Sequence, residues 1–114
     1  MRTLDDISLK PKDRMAVERA AAILREKFPV AEVILFGSKA RGDDDAESDI
    51  DILVLTTRPI SAAEKRSMTD ALFDIELELG VVISKLVLPR EEWEHGYYQA
   101  LAIRRDVDQD GVAA

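Results

Sequence analysis

Two apolar runs of strand character, Val30–Phe36 (V-A-E-V-I-L-F) and Ser48–Thr56 (S-D-I-D-I-L-V-L-T), bracket a glycine-serine turn and a short acidic loop. Neither run contains Gly or Pro, and apolar and β-branched residues dominate both, which is the pattern of a strand. A third run, Val81–Leu88 (V-V-I-S-K-L-V-L), reads the same way. Helical stretches separate them. Pro11 suits the first turn of a helix running to about Phe28. Within it Met15, Ala16, Arg19, Ala20, Ile23, Leu24 and Phe28 include an apolar stripe at helical spacing. Ser61 with Glu64 three residues later forms a capping box, and Gly80 suits the C-cap of the helix that follows. Pro89 opens a last helix, with Trp93, Tyr97 and Leu101 at four-residue spacing. Interleaved strands and helices predict an α/β layer structure, a small sheet packed with helices. At 114 residues, 1–114 is expected to be a single domain with one core, and 106–114 a flexible tail.

The chemistry begins at Asp49 and Asp51. Side chains at i and i+2 of a strand share a face, so the two carboxylates point the same way while Ile50 and Ile52 enter the opposite packing layer. Adjacent carboxylates repel unless a proton or a cation lies between them. Mg²⁺ is the usual partner, because it takes oxygen ligands from one or two carboxylates together with substrate phosphates. Two such ions roughly 3.5–4 Å apart can clamp the attacking and leaving oxygens of a phosphoryl transfer. Two solvated aspartates at a strand start would read alike.

The turn Gly37-Ser38-Lys39-Ala40-Arg41-Gly42 supplies the other half. Gly37 allows unusual backbone angles and close approach of a ligand. Ser38 offers a hydroxyl and an N–H, and a helical turn starting there would leave free N–H groups that favour an anion. Lys39 and Arg41 add positive charge. The glycine spacing matches the start of a Walker A loop, but Asp43-Asp44 stands where Lys-Ser/Thr is required, which excludes that reading. An ordinary surface turn also uses Gly, Ser and Asp.

Together, G-S-K-A-R-G, a short acidic loop and S-D-I-D-I-L-V resemble the signature of the minimal nucleotidyltransferases of the DNA polymerase β superfamily. The core resemblance runs from about Val33 to Leu55, with weaker similarity in element order to about Arg105. It implies a small polymerase β-like sheet packed with helices. It also implies that Gly37 and Ser38 hold a nucleoside triphosphate, ATP or another, with help from Arg41, and that Asp49 and Asp51 are catalytic and bind Mg²⁺. The family transfers a nucleoside monophosphate to a hydroxyl and releases pyrophosphate. Small prokaryotic members act as antitoxins of HEPN-domain proteins, some by AMP transfer to tyrosine. The family's catalytic set usually has a third carboxylate on a later strand. Val81–Leu88 has none, and Ser84 is the polar residue near the expected place. Two function classes follow. One is a Mg²⁺-dependent transferase of a nucleoside monophosphate, AMP from ATP, to a protein or small-molecule hydroxyl. The alternative is a catalytically weak or inactive nucleotide-binding module that neutralises a HEPN-type partner by binding.

Charge and composition exclude other classes. Acidic residues outnumber basic ones 23 to 16, a formal net charge of -7, which disfavours broad nucleic-acid binding. No apolar run approaches the ~20 residues of a membrane span. The N-terminus lacks the apolar core of a secretory signal, and the absence of cysteine fits a reducing compartment, so a cytoplasmic location is expected. His95, the single histidine, is expected at the surface or in packing, and Trp93, Tyr97 and Tyr98 in the core. Asp43-Asp44-Asp45 reads as a solvated loop, and Arg104 and Arg105 suit a helix C-terminus.

Overall fold

The computed structural model describes residues 1–114. Five strands form one sheet: β1 (Arg2–Thr3), β2 (Val30–Phe36), β3 (Ile50–Thr56), β4 (Ile83–Pro89) and β5 (Val112–Ala113). Their spatial order is β1-β5-β2-β3-β4. β2 runs antiparallel to both β3 and β5. β3 and β4 are parallel, with the helix α3 (Ala62–Leu79) between them in the chain. The expected α/β sheet packed with helices is therefore what the chain forms.

Alternation along β2 and β3 divides the core. Val33 and Leu35 with Ile50, Ile52 and Val54 face α1 (Pro11–Lys27) and α3, whose Ala16, Val17, Ala20, Leu24, Met68, Leu72 and Ile75 complete the larger cluster. Ile34, Leu53 and Leu55 face the other way. They meet Leu88, Trp93 of α4 (Arg90–His95) and Val107 of α5 (Ala102–Asp110) in a smaller cluster. α3 starts as its capping box requires. Ser61 Oγ accepts from the Glu64 N–H at 3.1 Å, and Glu64 Oε1 accepts from the Ser61 N–H at 2.9 Å. It ends at Gly80 in the left-handed conformation. No helix is long and apolar enough to cross a membrane.

Three expectations change. β3 begins at Ile50, two residues later than expected, so Asp49 immediately precedes the strand. The last helix is broken. Gly96 is extended after α4, and a 3-10 turn at Tyr97–Ala100 precedes α5. Trp93 is accordingly buried while Tyr97 is 76% exposed, so the aromatics form no continuous buried stripe. Third, 106–114 is not a loose tail. Its first residues complete α5, and β5 lies between β1 and β2, with Val112 fully buried. The Ala114 N–H donates to Val33 O at 2.9 Å. The two residues of β5 are too short to show a strand pattern in sequence, yet their backbone groups join β1 to β2.

Candidate functional site

The site lies where β2 ends and β3 and β4 begin. Phe36 pairs with Asp51 in the antiparallel register, and Asp51 pairs with Ser84 in the parallel one. Register partners present side chains to the same face, so Asp51 and Ser84 are neighbours on the face of the smaller core. Leu53 and Leu55 continue that face inward from Asp51. Ser84 thus occupies the adjoining strand position on the Asp51 side, a relation the sequence alone left open.

Gly37 has φ 77° and ψ −159°, a region essentially restricted to glycine. A Cβ there would invade the space of Asp51 Oδ2 and lie 3.3 Å from Asp51 Cγ. The Asp51 carboxylate therefore rests directly against the glycine turn. Beyond it, α2 (Ser38–Arg41) is one turn of helix. The Ala40 and Arg41 N–H groups donate to Gly37 O, each at 3.1 Å, and the Gly42 N–H donates to Ser38 O at 2.9 Å. The N–H groups of Ser38 and Lys39 open the turn and have no intrahelical acceptor. One turn carries little macrodipole, so any attraction for an anion comes from those N–H groups themselves.

Asp51 is half-buried and Asp49 exposed. Burial first, and then the negative charge of Asp49, push the Asp51 carboxyl above the usual carboxylate range, with Arg41 offsetting part of the effect. Asp51 thus carries a carboxylate that burial makes costly to ionise, with the charge of Asp49 adding to that cost. The Asp49–Asp51 donor set fits a hard divalent cation such as Mg²⁺, which accepts one or two carboxylates and completes its shell with water and phosphate oxygens. No third His, Cys, Asp or Glu joins them in a metal-holding cluster.

The cations divide. Arg41 is partly exposed, and its Nε donates to Asp43 Oδ2 at 3.1 Å. That bond raises its pKa, with smaller contributions from Asp43, Asp110 and Asp106. It stays at the edge of the site. Lys39, expected to add charge to the turn, instead points inward and is 3% exposed. Its ammonium lies 2.9 Å from Asp13 and 3.2 Å from Asp44. Asp44 is therefore tied down and not freely solvated. Asp13 and Arg2 belong to no motif in the sequence. Arg2 donates to Ala40 O at 3.1 Å and also to Asp110 O, bracing α2 against the C-terminal segment. No spacing rule links residues so far apart in the chain. His95 is exposed, as expected. A groove between α1 and α3, lined by Arg19, Ile23, Glu26 and Asp74 among others, contains none of the motif residues. Gly37 and Asp51, in direct contact, are where the two sequence motifs meet.

Residues 17–108 match the sequence profile of the nucleotidyltransferase domain. The chain belongs to that family. A relative from Methanocaldococcus jannaschii, provisionally named a protein adenylyltransferase, is 31% identical over 107 residues, 94% of this chain and 97% of the relative. A second from the same organism, with the same provisional name, is 37% identical over 67 residues, 59% of this chain and 66% of the relative. Among solved structures, a toxin–antitoxin crystal structure with AMP-PNP superposes with a TM-score of 0.58 at 17% identity, covering 84% of this chain and 69% of that one. The complex of tri-AMPylated Shewanella oneidensis HEPN toxin with MNT antitoxin gives 0.55 at 16% identity, covering 89% and 70%. At these identities the structural likeness is one of fold.

Proposed function

We propose that this nucleotidyltransferase-family chain transfers AMP from ATP to a hydroxyl of a HEPN-type partner protein, with Mg²⁺ held by Asp49 and Asp51. The observation that carries the reading is the seating of Asp51. A carboxylate of raised proton affinity rests against a glycine whose missing Cβ makes room for it, beside a helical turn whose first N–H groups have no intrahelical acceptor. Gly37 and Ser38 cradle the triphosphate through the turn, and Arg41 exchanges Asp43 for phosphate oxygens. When bound, Mg²⁺ neutralises charge on the phosphates and on the departing pyrophosphate. In the transfer, an acceptor oxygen bonds to the α-phosphorus, the bond from that phosphorus to the bridging oxygen breaks, and pyrophosphate leaves. The hydroxyl proton passes to water, because the neighbouring strand offers Ser84 in place of an acid. The names of the M. jannaschii relatives support protein as the acceptor class, and the AMPylated HEPN complex supports the partner class.

One observation favours a second reading. With Ser84 in register beside Asp51, the site has two carboxylates and no base, which suits a nucleotide-binding module that neutralises its partner by binding. Incubation of the chain with labelled ATP, Mg²⁺ and a HEPN-type protein separates the two. Label on the partner, lost with Asp49→Asn/Asp51→Asn, is expected for transfer. Tight complex formation with no label on the partner would establish the binding module.

A further inference from the structure

Lys39 is a fully buried lysine with two carboxylates, Asp13 and Asp44. Burial disfavours its charged form, but the two hydrogen bonds and the two negative charges more than compensate, and its pKa is raised. Asp13 comes from the first turn of α1 and is itself buried. One carboxylate suffices to neutralise the ammonium. The second, Asp44, belongs to the acidic loop and brings that loop onto the core. A buried pair needs its remaining donors satisfied to offset desolvation, and Asp44 supplies one such acceptor.

From Asp44 the order continues toward the site. The Asp45 N–H donates to Ser48 Oγ at 3.0 Å, the Ser48 N–H to Asp45 O at 3.2 Å, and the Glu47 N–H to Asp45 Oδ1 at 2.8 Å. On the far side of Asp49, the Ile50 N–H donates to Val82 O at 2.8 Å. Asp49 is therefore delivered between two fixed points, one of them anchored through Asp44 to Lys39. Without that anchor, the residues between Gly42 and Asp49 would have to be ordered when the cation binds, an entropic cost that weakens binding.

We propose that Lys39 is a positioning residue: through Asp44 it fixes the loop that presents Asp49, and so sets how tightly the Asp49–Asp51 pair holds a divalent cation. The proposal rests on the reading that this pair binds Mg²⁺. Asp44→Asn is the informative variant, because the Lys39–Asp13 pair that serves the fold stays intact. In the metal-free protein, amide exchange at Glu47 and Ser48 should speed up while α1 and β3 keep wild-type protection. Mg²⁺ affinity, titrated calorimetrically with ATP present, should fall by about 10-fold, the low end of the effect of removing an outer-shell partner. Lys39→Met should do the same and also lower the melting temperature, and Lys39→Arg should restore much of the Mg²⁺ affinity. Wild-type Mg²⁺ affinity in Asp44→Asn, alongside its loss in Asp49→Asn/Asp51→Asn, would overturn the positioning role and leave the metal reading standing. Unchanged affinity in both variants would overturn the metal reading, and the proposal with it.

Discussion

The two ends of β3 treat their carboxylates in opposite ways. Beyond Thr56 the chain is closed. Thr56 Oγ1 donates to Arg58 O at 2.6 Å, Arg58 pairs with Glu64 at 2.9 Å, and Glu64 caps α3. Arg58, then the Ser61 N–H, hold the Glu64 carboxyl down at about 2. At the Asp51 end the shift is upward, from burial and from Asp49. One end spends its charges on holding the fold together. The other sets a half-buried carboxylate against a glycine in a backbone conformation that other residues avoid. Strain and perturbed carboxylates concentrate where ligands bind, and the contrast along a single strand is what the proposed function builds on.

The sharpest way to break the contrast is to complete the site. Ser84 stands in register with Asp51 on its side of the sheet, so Ser84→Asp places a third carboxylate beside the pair. Positioned general-base help contributes about 10²–10⁴-fold in rate. Metal-dependent transfer of labelled AMP should therefore rise well above wild type in initial-rate assays. Fast transfer by the wild type that Ser84→Asp does not increase would mean that no base is needed at that position.

Gly37→Ala is expected to act next most strongly, and on the site more than on the fold. The added Cβ meets the Asp51 carboxylate, and the φ of 77° is strained for any other residue, at about 1–3 kcal/mol. Melting temperature should drop modestly while Mg²⁺–ATP affinity falls further. Equal losses in the two measurements would reduce the turn to a structural feature.

Much of this was legible from local pattern. The bounds of β2 coincide with the apolar run Val30–Phe36, and α3 begins after Ser61 because the capping box is a local signal with a local mechanism. The Gly-Ser turn and the Asp-x-Asp pair were found because each is a short motif. The pairing of Lys39 with Asp13 spans 26 residues, and no spacing rule connects them, so in sequence Lys39 reads as free charge beside the turn. The C-terminal part misled for a different reason. Trp93, Tyr97 and Leu101 keep helical spacing, but a Cβ at Gly96 would collide with Glu92 O, and the extended glycine ends α4 there. β5 stayed hidden because two residues carry no periodicity.

The smallest effects are those of pH on stability, and their signs differ at the two ends. Asp51 has a raised pKa, so its contribution to folding is fully present below its ordinary value of 3.8 and is lost as pH rises through the folded value. The metal-free Asp51→Asn variant should therefore melt above wild type at pH 7, with the gap closing as pH falls toward 3.8. Glu64 is the reverse case. Its contribution is present above 4.5 and lost as pH falls through about 2. Glu64→Gln should melt below wild type at pH 7, and that deficit should shrink between about pH 4.5 and 2. Thermal melts of both variants across pH 2–7 check the pair. Gaps of the same sign would contradict the opposition of the two ends.

On the proposed function, Asp49 and Asp51, set against the Gly37-Ser38 turn, form one metal–nucleotide site. Calorimetric titration of Mg²⁺–ATP into the wild type and into Asp49→Asn/Asp51→Asn tests this directly. The wild type should bind only with Mg²⁺ present, and the double variant should keep its fold by circular dichroism and lose that metal-dependent binding. Equal Mg²⁺–ATP affinity in the two proteins would contradict the claim.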